Sequence, residues 1–357
     1  MEKKKMQSIL ISSKMTIKEA MQKLDDTAER ILFVVESGNR LVGTVTDGDI
    51  RRGIIHGLAF RDDVGRLMHK DFAKVAGDIQ NLMQHVKEIM VKDRLEQIPV
   101  VDKNGAIEDV VSWTDVLGER PSARRHANRV VIMAGGKGLR LDPFTKILPK
   151  PLIPIGDKTV IELIMENFFR RGFHKFSYSL NYKKDYIKMF LQDNEFPGYE
   201  LDWVEEEEFL GTIGSLPLLK DRLKETFIVT NCDSLLDTDF EQALGWHKQY
   251  EAAITIIGCH NEVKIPFGVL EISDGRLKKM TEKPVHDVII NTGVYVMEPR
   301  VLGYIPYGRK MDIDELIALV AAKDKVSVYT VFGGWFDIGQ WEEYRDSLRR
   351  LGVKENV

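Results

Sequence analysis

An α/β fold over residues 129–357, preceded by a duplicated α+β region over residues 1–118, is what the sequence predicts, on three observations. The first is length: 357 residues at ~150 per domain give roughly two domains. The second is an internal repeat in the first third. The third is a change, from Arg129 onward, to strand candidates alternating with helix candidates. Composition is globular, with 43% hydrophobic and 30% charged residues. Fifty-one Lys and Arg against fifty-five Asp and Glu leave a formal charge of −4, which argues against a general nucleic-acid coat protein. Two cysteines, Cys232 and Cys259, exclude a disulfide framework and a Cys-rich zinc module. No apolar run approaches ~18 residues, and no long apolar stretch follows Lys3, Lys4 and Lys5. Neither a membrane span nor a secretory signal is therefore expected, and the cytoplasm is the default location.

In the repeat, Leu32-Phe33-Val34-Val35-Glu36 aligns with Ile98-Pro99-Val100-Val101-Asp102. Without a gap, Val45-Thr46-Asp47-Gly48-Asp49 then aligns with Val111-Ser112-Trp113-Thr114-Asp115. Each copy reads as an apolar strand, a polar turn, a second strand, and a hydroxyl-x-x-Asp that opens a helix. Thr16-Ile17-Lys18-Glu19 is a capping box, after which Ile17, Ala20, Met21 and Leu24 share a helical face. Ile79, Leu82, Met83, Val86, Ile89 and Met90 form the matching stripe, and both stripes are read as core.

The pattern resembles a tandem cystathionine-β-synthase (CBS) domain pair, with repeats over about residues 8–62 and 63–118. The resemblance implies an adenine nucleotide in the cleft between repeats. Asp49 and Asp115 would accept from ribose hydroxyls, with Thr46 and Ser112 nearer the phosphate. Gly43 aligns with Asp109, where a carboxylate would crowd or repel a ligand. The alternative is a pair that only dimerises the chain. Residues 119–128 lack apolar periodicity and read as a linker, with Arg124 and Arg125 as solvated charge.

Val130-Val131-Ile132-Met133 is a buried-strand candidate, followed by Ala134-Gly135-Gly136-Lys137-Gly138-Leu139-Arg140. A Walker A loop is absent, and Leu141 stands where a dinucleotide fingerprint needs its third glycine. What remains is a glycine loop with Arg140 at its end and Lys150 ten residues on. That set suits a nucleoside triphosphate: glycines let backbone N–H groups approach phosphates, Arg140 offers paired donors, and Lys150 a point charge.

This loop, with Pro143, Thr145, Pro149-Lys150-Pro151-Leu152 and Pro154-Ile155, resembles the signature of sugar-1-phosphate nucleotidyltransferases over about residues 129–350. Leu139 departs from the Thr of many members. The resemblance implies a Rossmann-like, GT-A-like mixed sheet flanked by helices. It implies nucleotide contacts at Ala134, Gly135, Gly136, Gly138 and Leu139, and at the base loop Leu210, Gly211, Thr212 and Gly214. Asp233, after the strand candidate Phe227–Asn231, and Asp337 match the family's metal-binding aspartates. Two carboxylates with phosphate oxygens suit Mg²⁺ or Mn²⁺. Gly268, Glu282, Lys283, Asn291 and Thr292 match the sugar-phosphate side, although Gly268 and Gly293 alone read equally as strand bulges. Thr159-Val160-Ile161-Glu162 caps a helix that Gly172 ends. Glu205–Glu208 reads as a solvated acidic run, and Cys232 as a buried small residue.

The implied reaction joins a nucleoside triphosphate and a sugar 1-phosphate, with Arg140, Lys150, Asp233 and Asp337 as the catalytic set. The CBS pair in front of this domain resembles the arrangement in bacterial GDP-sugar guanylyltransferases. There glucosamine 1-phosphate, as in legionaminic acid synthesis, is the first acceptor to consider; mannose and heptose 1-phosphates are neighbours. No hexapeptide-repeat region follows Trp341-Glu342-Glu343-Tyr344, against a bifunctional acetyltransferase. UTP-, CTP- or dTTP-using enzymes and a catalytically silent nucleotide-sugar sensor stay open. Homo-oligomers through CBS pairs are expected, without nucleic-acid or membrane partners.

Overall fold

The chain divides into two units, Met1–Ser122 and Ala123–Val357. The computed structural model describes residues 3–27, 29–79, 81–93, 95–117 and 125–338.

In the first unit, α1 (Lys3–Ser8), β1 (Leu10–Ser12), α2 (Ile17–Thr27), β2 (Ile31–Glu36), β3 (Arg40–Thr46) and α3 (Asp47–Ile55) form one half. β4 (Val75–Ala76), α4 (Leu82–Asp93), β5 (Gln97–Val101), β6 (Ile107–Ser112) and α5 (Trp113–Leu117) form the other. Each half holds a parallel pair followed by an antiparallel hairpin. The repeat extends to the register: Val34 faces Gly43 as Val100 faces Asp109, and both ladders shift at the next residue. Ile17, Ala20, Met21 and Leu24 are buried on α2 as expected, because the strand pair closes over that face. The second stripe holds only in part. Val86 and Met90 are buried, but Ile79 lies before α4 and is exposed, as is Met83.

Gly43 has a local cause. A Cβ there would lie 2.9 Å from Met68 Sδ, because residues Met68–His69 pack along β3, with Thr44 and His69 exchanging backbone hydrogen bonds.

The second unit starts earlier than the expected linker allows. β7 spans His126–Ala134, and Arg125 pairs with Glu200 at 3.0 Å. The remaining elements are α6 (Phe144–Ile147), β8 (Pro154–Ile155), β9 (Lys158–Thr159), α7 (Val160–Phe169), β10 (Phe173–Leu180), α8 (Lys184–Asp193), β11 (Glu200–Glu205), β12 (Phe227–Asn231), β13 (Ser234–Leu236), α9 (Phe240–Gln249), β14 (Ile254–Lys264), β15 (Val269–Ser273), β16 (Arg276–Thr281), β17 (Val285–Met297), α10 (Ile313–Ala321), β18 (Val326–Val331) and β19 (Trp335–Asp337).

Among the described residues, seven strands form a mixed sheet in the order β11-β10-β7-β12-β17-β14-β18, with β17 antiparallel to both neighbours. Both faces are covered, so β7 is apolar from Val130 to Ala134 rather than alternating. Val130 and Ile132 pack with Ile161, Ile164 and Phe168 of α7, whereas Val131 faces the Leu216–Leu219 turn and α10. Thr159 caps α7 through the expected box with Glu162, and Gly172 follows its end at φ +88°.

β14 and β17 run on beyond the sheet. Residues 260–264 and 285–289 pair with each other, and the β15–β16 hairpin lies between them in the chain. This two-stranded arm is largely exposed.

Candidate active site

β7, β10 and β12 are parallel, so their carboxyl ends lie together, where open α/β sheets bind ligands. From the end of β7 the chain turns through Gly135–Gly138. Gly138 sits at φ +64°, a conformation that disfavours a side chain, and a Cβ there would meet Thr145 and Lys150 at 3.0 and 3.1 Å. Around Gly136 the space a Cβ would occupy is open, a cradle that a ligand can fill. Leu139 is 74% exposed, so its side chain serves no core.

Lys150 opens a short 3₁₀ turn and is 6% exposed. A buried ammonium needs a partner, and Lys150 donates to Asp233. The Arg140 guanidinium is largely exposed and comes within 4.0 Å of the same carboxylate. Asp233 follows β12 in the turn to β13, and β13 pairs antiparallel with β19, setting Ser234 opposite Asp337. Ile338 N–H donates to the Asp233 carbonyl at 2.9 Å. The two aspartates, about a hundred residues apart in sequence, thus stand one register step apart. The small ladder is pinned: the Ser234 hydroxyl donates to the Thr292 carbonyl at 2.6 Å, and Trp335 Nε1 donates to Ser234 Oγ at 3.0 Å.

Two carboxylates with an open cradle suit a hard divalent cation whose other ligands are phosphate and water oxygens. Among the described residues no group of three or more His, Cys, Asp and Glu could hold a metal by itself. Mg²⁺ or Mn²⁺ would therefore rest on Asp233, Asp337 and the substrate's oxygens. Cys232 is buried, and burial, then the adjacent Asp233 charge, push its thiol up to about 12, which removes it as a nucleophile.

The acidic run needs correction. Glu206 is 3% exposed, not solvated. It accepts from Ser179 Oγ at 2.7 Å and from Leu210 N–H at 2.9 Å, and it lies 2.8 Å from where a Gly135 Cβ would stand. It therefore bonds β10 to the Leu210–Gly214 loop and packs close against Gly135. Glu205 remains outside, paired with Lys184 and Lys188. Strand alternation held the clue, since Glu206 continues the face of Val204, which packs on the core, rather than that of Glu205.

The Leu210–Gly214 loop is stiff for a reason the motif did not show. Met311 N–H donates to the Leu210 carbonyl, Thr212 N–H to Asp312 Oδ1, and Ile313 N–H to Thr212 Oγ1, at 2.8 to 3.0 Å. A Cβ at Gly211 or Gly214 would meet a backbone oxygen at 2.5 Å or less. These glycines allow close packing against residues 309–312, and several groups expected to face a base are spent internally.

On the sugar side, Thr292 is buried, donates to the Ile257 carbonyl at 2.7 Å, and sits with Gly293 in a register shift of the β14–β17 ladder. Asn291 binds Tyr295 and the Gly293 N–H. Gly293 is thus a bulge, whereas Gly268 precedes β15, where a Cβ would lie 3.0 Å from Glu282 Oε2. Glu282 and Lys283 are exposed on the arm, Lys283 at φ +44°, a costly value for a residue with a side chain. From Val285 to Thr292 an extended strand covers ~24 Å. The structure joins Asn291 and Thr292 to the aspartate centre through Ser234, but shows no bond from Glu282 or Lys283 to it.

In the first unit, Thr46 and Asp49 form a reciprocal cap on α3, and Arg52 donates to Asp49 at 2.5 Å. Ser112 and Asp115 repeat the contact, with Ser112 N–H and Oγ donating to Asp115 at 2.8 and 2.7 Å.

The nucleotidyl transferase family matches residues 129–352, and the CBS domain matches residues 6–56 and 64–122. A UTP–glucose-1-phosphate uridylyltransferase of Synechocystis is 30% identical, over 64% of this chain and 64% of its own length. The chain thus spans a little under two thirds of that relative. Mannose-1-phosphate guanylyltransferase 1 of Arabidopsis thaliana is 32% identical over 62% and 64% of the two chains. A probable glucose-1-phosphate cytidylyltransferase of Bacillus subtilis is 31% identical over 60% and 92%. The crystal structure of HddC from Yersinia pseudotuberculosis superposes with a TM-score of 0.52 at 26% identity, over 63% of this chain and 99% of that one. With its glycine loop, paired aspartates and mixed sheet, this chain belongs to the nucleotidyl transferase family and carries tandem CBS domains before the transferase domain.

Proposed function

We propose that the chain transfers a nucleoside monophosphate from a nucleoside triphosphate to a sugar 1-phosphate. The observation that carries this reading is the β13–β19 ladder, which sets Asp337 beside Asp233 while Lys150 holds Asp233 from the glycine-loop side.

An oxygen of the sugar phosphate attacks the α-phosphorus and forms the new P–O bond. The bond from the α-phosphorus to the bridging oxygen breaks, and its electron pair leaves with pyrophosphate. The acceptor is ionised at neutral pH, so no general base is required, and catalysis is positioning and charge neutralisation. Lys150 presents a fixed, desolvated positive charge. Arg140, exposed at the loop's end, has room to fold over the departing pyrophosphate. Glu206 keeps the two nucleotide loops in register. Mg²⁺ or Mn²⁺ on Asp233 and Asp337 would supply charge neutralisation at the phosphates. Glu282 and Lys283 complete the acceptor side from the arm.

The first substrates to test are GTP and glucosamine 1-phosphate, as for bacterial surface sugars such as legionaminic acid. Guanylyltransferases among the relatives and a solved HddC complex with GMP-PN support guanine. Uridylyl and cytidylyl relatives match as well, so base and sugar choice are part of the proposal. Pyrophosphate release across a matrix of triphosphates and sugar phosphates tests it. The expected best pair is GTP with glucosamine 1-phosphate; no release from any pair would overturn the transferase reading. The CBS cleft is read as an adenine-nucleotide site that regulates turnover and helps assemble a homo-oligomer. Calorimetry with AMP, ADP and ATP checks the first part, with Asp49→Asn expected to weaken binding, and light scattering checks the second.

A further inference from the structure

At the end of the sheet opposite the glycine loop, the amino ends of β7, β10 and β12 meet the turn at residues 220–226. They line a half-open cavity of about 190 Å³ whose wall includes Arg129, Lys175, Arg222, Lys224 and Glu225. Four cations and one carboxylate stand in this wall of a chain of formal charge −4, and Lys224 is shared with the exposed Asp221 at 3.2 Å. Arg129 and Lys175 are direct partners on neighbouring strands, with Glu200 of β11 opposite Lys175 on its other side.

The two arginines are held from behind. Asp202, which is not part of the wall, accepts from Arg129 Nη1 at 2.6 Å and from Arg222 Nη1 at 2.9 Å. Arg129 Nη1 also reaches Ser177 Oγ at 3.0 Å, and Arg222 Nη1 the Trp203 carbonyl at 3.2 Å. These contacts orient both guanidiniums through one nitrogen each and leave the Nε–Nη2 edges unspent by them. Asn128 Nδ2 donates to the Thr226 carbonyl at 2.7 Å and ties the two walls together. Two planar forks and the Lys175 ammonium, with Lys224 at the rim, surround a space several times one water's ~30 Å³ and match an oxyanion of more than one charge.

We propose that this cavity binds a small di- or polyphosphate anion, at a site separate from the glycine loop. β7 carries both sites, Arg129 at one end and Ala134 at the other, five residues or ~17 Å apart, so one small anion does not fill both.

The probe is inorganic pyrophosphate, titrated calorimetrically into the full chain without divalent cation. The comparison is with the Lys175→Gln, Arg222→Gln double variant and with Lys175→Gln alone, which touches none of the bonds to Asp202. The double variant should lose one binding event or bind it at least ~10-fold more weakly, the single variant less so, and wild-type affinity should fall as salt is added. Unchanged far-ultraviolet circular dichroism and basal turnover establish that the variants fold. Isotherms identical between wild type and the double variant would overturn the proposal whatever the outcome of the turnover assays.

Discussion

The proposed nucleotide half and the proposed acceptor half of the site are built by opposite strategies. Around the glycine loop all but the exposed Arg140 are anchored: Lys150 to Asp233, Asp233 to the β19 segment, and Glu206 to Ser179 and the Leu210 amide. On the acceptor side, Glu282 and Lys283 ride an exposed two-stranded arm whose inner end alone, at Thr292, touches the aspartate centre through Ser234. The fixed half suits groups common to every triphosphate, and the exposed arm suits the part that differs between sugars.

The largest break should come from the anchored half. Lys150→Ala or Asp233→Asn should lower pyrophosphate release by about 10²–10³ at saturating substrates. Asp233→Asn strands a buried ammonium, so a stability loss of about 3 kcal/mol in urea unfolding should accompany it. Near-normal turnover from either variant would dissolve the contrast. Next, Glu206→Gln should cost about 1–3 kcal/mol of stability and raise KM for the triphosphate more than KM for the sugar phosphate. Equal changes in both would mean that the two halves are not separately built. Lys283→Ala should raise KM for the sugar phosphate about 10-fold, a loss of ~1.4 kcal/mol, with no change in unfolding midpoint.

The smallest effect concerns the end of the β14–β17 ladder away from the arm. His247 on α9 is buried against Thr255 of β14 at 2.7 Å and Glu298, just past β17, at 3.1 Å. Thr226 also donates to Glu298, Ser327 bonds Thr255, and Arg300 is a further nearby charge. Burial holds the imidazole below its ordinary value of 6.5, outweighing the opposing pull of Glu298. Below that value the unfolded chain binds more protons than the folded one, so stability falls as pH falls through the ordinary histidine range. Tm should therefore drop between pH 7.5 and pH 5.5, and His247→Gln should flatten the slope. An equal slope in the variant would place the pH sensitivity elsewhere.

Much of this was legible in the residues. Hydroxyl and carboxylate three apart gave the caps at Thr46 and Thr159, and the alignment of the two CBS copies reached their shared register shift. Asp337 could be paired with Asp233 only through family likeness, because nothing local reveals a ladder closed over so long a stretch of chain. What escaped depended on tertiary partners. Glu206 looked like its acidic neighbours until Ser179 and the Leu210 amide were placed around it. Met83 had a helical stripe but no neighbour to cover it within the described residues, and Gly211 and Gly214 answer to backbone oxygens about a hundred residues later. The end of the linker was missed because β7 begins at His126, which pairs by backbone with Phe173, and periodicity does not record that.

A double-mutant cycle on Asp233→Asn and Asp337→Asn, read as pyrophosphate release, tests the central claim that the two carboxylates form one centre. Each single substitution should cost about as much as the pair, the non-additivity of residues that act as a unit. Losses that multiply, or an Asp337→Asn enzyme that turns over normally, would contradict it.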